Sequence, residues 1–98
     1  MSAYWIARCH VTDPAKFSEY AGLAGPIIEN HGGKFLARGG YQIEVEGGSY
    51  ERTVLVEFKT MEAAKACYNS CDYQEALKIV TISSERHVVL IEGLSINN

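Results

Sequence analysis

Gly32-Gly33-Lys34-Phe35-Leu36-Ala37-Arg38-Gly39-Gly40 is the stretch on which the fold turns, because two glycine pairs bracket a short apolar run. Gly32-Gly33 reads as a helix stop, since glycine enters the left-handed conformation that ends a helix without a Cβ penalty. Gly39-Gly40 reads as a bend: either a two-residue hairpin or a kink inside one long second strand. The kink is the favoured reading, because a long bent strand leaves a free arm for a second subunit. Between the pairs, Phe35 and Ala37 alternate with Leu36 and Arg38, the period of a strand.

On the N-terminal side, Ala3 to Val11 alternates, with Trp5, Ala7, Cys9 and Val11 on a core face and Tyr4, Ile6, Arg8 and His10 on an amphipathic one. Asp13 then caps a helix, and Pro14 stands where its missing N–H is not needed. Phe17, Tyr20, Ala21, Ala24, Ile27 and Ile28 recur at helical spacing up to His31. Pro26 predicts a kink or break against the Gly22 carbonyl. On the C-terminal side, Tyr41, Ile43 and Val45 alternate with Gln42, Glu44 and Glu46 as a half-exposed strand before a Gly47-Gly48-Ser49 turn. Arg52 to Phe58 is the next strand, Thr60 and Ser70 cap two helical segments, and His87 to Glu92 is the last strand, closed by Gly93.

The order strand, helix, strand, strand, helix, strand is the α+β, ferredoxin-like βαββαβ pattern, here in one domain over residues 1–98. Right-handed crossovers place the first and third strands at the centre of an antiparallel sheet with the helices on one face. The other face, with Tyr4, Ile6 and Leu55, needs a cover, and a second copy of the chain is the simplest one. A chain of 98 residues buries only about two-thirds of its unfolded surface, so a homodimer is also expected on size.

Nine Lys+Arg stand against 12 Asp+Glu, for a net charge of -3 without a basic cluster, which argues against nucleic acid and anionic membranes. No apolar run approaches a membrane span and the N-terminus has no basic region before its strand, so a soluble cytoplasmic protein is expected. The odd number of cysteines, Cys9, Cys67 and Cys71, argues against a disulfide framework. Cys67 and Cys71 read as small hydrophobes rather than as a metal or redox pair.

His31-Gly32-Gly33-Lys34-Phe35-Leu36-Ala37-Arg38-Gly39-Gly40, with Glu46-Gly47, Val56-Glu57-Phe58, Tyr68-Asn69-Ser70-Cys71-Asp72-Tyr73-Gln74 and Ile91-Glu92-Gly93, resembles the domain-of-unknown-function family 1330. The resemblance covers nearly the whole chain. It implies the ferredoxin-like, dimeric α+β barrel superfamily and a homodimer whose two sheets face each other. Two departures from the family pattern are Cys67, where relatives usually have tryptophan, and Val80, where they usually have arginine.

For chemistry, Arg38 is the favoured side chain: beside Gly39 a ligand can approach the backbone, and a guanidinium can clamp a carboxylate with two bonds. An ion pair with Glu57, Glu44 or an acid of a dimer mate is the competing reading and the commoner role of an arginine near a strand end. Tyr73 and Tyr41, with Trp5, are candidates to line an apolar pocket, although Trp5 and Tyr73 also suit a core. Antiparallel pairing brings Arg8 and His10 near Arg52 and His87, so His10 and His87 are ligand-site candidates as well. A metal held by them with Glu85 or Glu57 is not favoured, and neither metal nor cofactor is expected. Cys9 falls on the core face, where a thiol stays protonated. No Gly-x-Gly-x-x-Gly or catalytic triad order is present. Two functions fit: a cofactor-independent enzyme acting on a small organic molecule, such as a carboxylate, or a non-catalytic dimer that binds a ligand or a protein.

Overall fold

The computed structural model describes residues 1–94. The elements follow in the order β1 (Ala3–Val11), α1 (Pro14–Asn30), β2 (Lys34–Arg38), β3 (Arg52–Phe58), α2 (Met61–Tyr68), α3 (Cys71–Ser83) and β4 (Ser84–Glu92). The sheet is antiparallel with strand order β2-β3-β1-β4, so β1 and β3 are central, as the crossover rule requires. Trp5, Ala7 and Cys9 are buried with Val56 and Phe58 beneath the helices, whereas Ile6, Leu55 and Val89 line up across three strands on the opposite face.

The helices begin where the polar caps stand. Asp13 accepts from the Lys16 amide at 3.1 Å, Thr60 from Ala63 at 3.1 Å and Ser70 from Tyr73 at 3.3 Å. Helix α1 ends in a Schellman motif: Gly32 has φ +88, its amide bonds to Glu29 O, and the Gly33 amide bonds to Ile28 O. Gly33 is needed for a different reason. A Cβ there would lie 2.5 Å from the Ile28 side chain and 2.9 Å from Val56 and Phe58, so the chain crosses the core at its closest approach.

The structure departs from the sequence reading at five places. Helix α1 runs unbroken through Pro26, because Pro26 and Gly22 both lie on its outer, exposed side, where water can take the carbonyl that proline cannot bond. Gly39-Gly40 is neither hairpin nor kink, since Gly39 at φ +67 ends β2. Residues 40–51 form an irregular loop rather than a strand, with Tyr41, Ile43 and Val45 exposed. That loop is held by side chains: Gln42 donates to Tyr50 O at 2.8 Å and accepts from the Thr53 hydroxyl at 2.6 Å. Strand β4 starts three residues earlier than its apolar run, at Ser84.

The fifth departure positions the site. Phe35 pairs with Val56, Ala37 with Leu55 and Arg38 with Val54, so a bulge at Leu36 reverses the alternation. Arg38 therefore shares the helix-facing side with Phe35 instead of opposing it, and its guanidinium lies 4.4 Å from the centre of the Phe35 ring.

Candidate functional site

Between α1 and the helix-facing side of the sheet lies a cleft that opens to solvent. Trp5, Ala7 and Cys9 of β1 form its floor, and Phe17, Tyr20 and Ala24 of α1 its roof. Arg38, Arg52 and Arg86 also line it, and no aspartate or glutamate does. In a chain with more acids than bases, three guanidinium groups line one apolar space with no carboxylate among the described lining residues, an arrangement chemically suited to an anion.

The strand register explains how they meet. Cys9 pairs with Arg52 on one side and Arg86 on the other, so the two arginines flank the thiol in one row across three strands. Burial, the dominant influence, raises the Cys9 pKa and keeps the thiol protonated, although Arg86 and Arg52 both pull it down. Arg52 stacks over Phe17 with its guanidinium carbon 5.2 Å from the ring centre, and its buried Nε has no hydrogen-bond partner among the described residues. A Cβ at position 39 would strike the Arg52 guanidinium, so Gly39 gives Arg52 its place at the mouth. Arg38 reaches from the edge strand to the helix, donating to Ala21 O at 3.1 Å and packing where a Cβ on Gly25 would stand 2.6 Å from its Nη2.

At the inner end, Arg86 donates to the hydroxyls of Tyr20 at 3.3 Å and Tyr73 at 2.8 Å, which are 2.7 Å from each other. Burial opposes the Arg86 charge, and the two hydroxyl oxygens that accept from it restore it. Burial, with Tyr20 beside it, raises the Tyr73 pKa, so Tyr73 keeps its proton at neutral pH.

The residues singled out from sequence are dispersed by the structure. Arg38 lines the cleft. Tyr73 lies fully buried behind it, T-shaped against Trp5. Tyr41 is 93% exposed in the 40–51 loop. His10 and His87 occupy the opposite sheet face, where Glu51 holds His10 Nδ1 at 2.8 Å and the Tyr50 hydroxyl holds His87 Nε2 at 3.1 Å. Among the described residues no group of three His, Cys, Asp or Glu side chains is placed to hold a metal. Val80, at the position of the family arginine, is fully buried in the core. A second hollow, beneath Gln42–Glu46 and beside Arg8, is already neutralised by the Arg8–Glu44 pair at 2.9 Å.

Sequence reading missed Arg52, Arg86 and Tyr20 as one group. Tyr20 reads as one more apolar position of α1, and Arg86 falls in the segment between the helical spacing that ends at Val80 and the strand that begins at His87. Only the row that Arg52 and Arg86 share with Cys9 could have joined those two.

The His10–Glu51 contact tethers the loop to β1, because Glu51 also accepts from the Val11 amide at 2.7 Å. Its hydrogen bond to Glu51 raises the His10 pKa, and the same bond lowers that of Glu51. The His10 contribution is full below the ordinary histidine range and fades as pH rises through its raised value. The Glu51 contribution is present above the ordinary glutamate range and fades as pH falls through its lowered value. The tether is therefore strongest in mildly acidic solution, between the two titrations. Glu51→Gln should return the His10 pKa toward about 6.5 in a proton NMR titration; an unmoved value would show that the pair does not form in solution.

The fold and cleft define a ferredoxin-like α+β protein whose site lies between helix and sheet. The chain belongs to the family DUF1330, a domain of unknown function, whose model matches residues 2–94. It is similar to the RPA0582 protein of unknown function from Rhodopseudomonas palustris, at 15% identity and TM-score 0.76 over 96% of this chain and 83% of that one. SnoaB, a cofactor-independent oxygenase from Streptomyces nogalater, matches at 10% identity and TM-score 0.70 over 96% and 94%. A dimeric ferredoxin-like protein of unknown function from Thermobifida fusca matches at 17% identity and TM-score 0.63 over 93% and 90%. Curated proteins provide no match. At these identities the likeness concerns architecture alone.

Proposed function

We propose that the protein is a homodimer that binds a small organic carboxylate in the cleft between α1 and the sheet. One observation carries this reading: Arg38 and Arg52 stand on either side of Gly39 at an apolar space lined by no acid, and the buried Nε of Arg52 has no partner. A carboxylate with an apolar body supplies both the missing charge and the missing acceptors. Dimerisation is supported by the uncovered apolar sheet face and by the dimeric ferredoxin-like relative. A cytoplasmic location agrees with the free thiol of the exposed Cys71 and with the absence, among the described residues, of a helix long and apolar enough to cross a membrane.

The enzymatic version of this reading is a cofactor-independent reaction on that carboxylate, in keeping with the fold shared with SnoaB. The non-catalytic version, a ligand-binding dimer, is favoured by the histidines: His10 and His87 are both engaged on the face opposite the cleft. The binding step is common to both.

A thermal-shift screen of small aliphatic and aromatic carboxylates tests it. A ligand at about 100 times its Kd should stabilise the protein by roughly 2.7 kcal/mol, on the order of 10 °C in Tm. Arg38→Ala should remove that shift. Without ligand it should lower Tm by roughly 10 °C at most and leave the protein folded, because its bond to Ala21 and its stacking on Phe35 are each worth about 1 kcal/mol. An Arg38→Ala protein that still responds, or that no longer folds, would show that Arg38 is structural.

A further inference from the structure

The inner end of the cleft has a proton to spare. Tyr20 and Tyr73 have one hydroxyl proton each, and Arg86 donates to both oxygens. A single O···O contact of 2.7 Å joins the two hydroxyls, and only one proton can lie in it. Tyr73 is fully buried behind the cleft wall, whereas Tyr20 lines the cleft. The arrangement that leaves no buried proton without an acceptor has Tyr73 donating to Tyr20, and Tyr20 donating into the cleft. The result is a chain of donors from Arg86 through Tyr73 to Tyr20, each polarising the next, with a buried positive charge at its origin. No carboxylate closes that chain, and a donor ending in an empty apolar space is suited to an oxygen that carries negative charge.

We propose that Tyr20, backed by Tyr73 and Arg86, is an inner oxyanion subsite, so that the ligand carries a second ionisable oxygen, a phenol or an enol, distant from the carboxylate held at the mouth. The proposal rests on the carboxylate reading above and adds the substrate class to it. On binding, a phenol loses its proton to solvent and remains as phenolate, accepting from the Tyr20 hydroxyl. No bond other than O–H is broken. Within the same site, Tyr20 becomes the group that would stabilise an enolate during any reaction next to a carbonyl.

Cinnamate and 4-hydroxycinnamate separate the two subsites, since they share the carboxylate and differ only in the phenol. By calorimetry 4-hydroxycinnamate should bind roughly tenfold or more tightly than cinnamate, the worth of a hydrogen bond to a charged group. Its phenolate absorption band should appear at a lower pH in the complex than in free solution. Tyr20→Phe, which keeps the ring and its packing, should abolish both differences while the protein still binds cinnamate. Tyr73→Phe should shrink the ionisation shift without touching cinnamate. If the two acids bind equally and the phenol ionises as it does free, the inner subsite is wrong while the mouth stands. If neither acid binds, both readings fall.

Discussion

Trp5→Ala is expected to destabilise the fold by roughly 3–5 kcal/mol and to lower Tm by on the order of 15–25 °C, followed by circular dichroism. Trp5 is 1% exposed at the middle of β1, with Val56 and Leu90 beside it on the neighbouring strands. Its ring centre lies 4.9 Å from Tyr73, edge-on, 5.6 Å from Tyr68 and 6.3 Å from Phe58. Truncation leaves a void that these neighbours cannot fill. Tyr73 is anchored by its hydroxyl to Tyr20 and Arg86, so following the void would break the donor chain described above. Trp5 also floors the cleft, so the loss opens that space from below. Trp5→Phe should recover most of the stability, since a ring still fills the layer. A loss under about 1 kcal/mol for Trp5→Ala would mean that α1 settles onto the sheet, and that the cleft floor is soft rather than built.

What could be read from sequence, and what could not, divides by range. The caps Asp13, Thr60 and Ser70, the Gly32-Gly33 stop and the alternation of β1 are local, each decided by a few neighbouring residues, and each is found where its chemistry places it. Strand order followed from handedness once the elements were known. Failures came where local pattern and tertiary partner disagree. Tyr41, Ile43 and Val45 carry a strand's alternation, but β3, which follows them, is already paired on both sides by β2 and β1, and side-chain bonds of Gln42, Glu44 and Thr53 shape the segment instead. The Leu36 bulge has no sequence mark, and it alone brings Arg38 to the helix side. Arg52 and Arg86 meet only through Cys9, across most of the chain length, which periodicity cannot register.

Ile6→Glu should leave the chain folded but monomeric, raising the dimer dissociation constant by roughly 100-fold to 1,000-fold in sedimentation equilibrium. Ile6 is at the centre of the uncovered face, in a row with Leu55 and Val89, and the next row holds Tyr4 and Ile91. Val89 and Ile91 are more than half exposed in the single chain, a surface that a second copy packed face to face would bury. Two-fold symmetry presents each substitution twice, so two carboxylates would be placed without partners at the centre of one apolar interface. Within a single chain the same carboxylate points away from the core and reaches water, so circular dichroism should be unchanged and only the dimer's share of the stability lost. The loop of residues 40–51 adjoins the same face through Arg8–Glu44 and Tyr50–His87, so the proposed dimer would also cover exposed Tyr41, Ile43 and Val45. Protease cleavage within that loop should therefore accelerate in Ile6→Glu along with dissociation. If Ile6→Glu remains dimeric, some other surface joins the subunits, and the apolar sheet face needs a different partner.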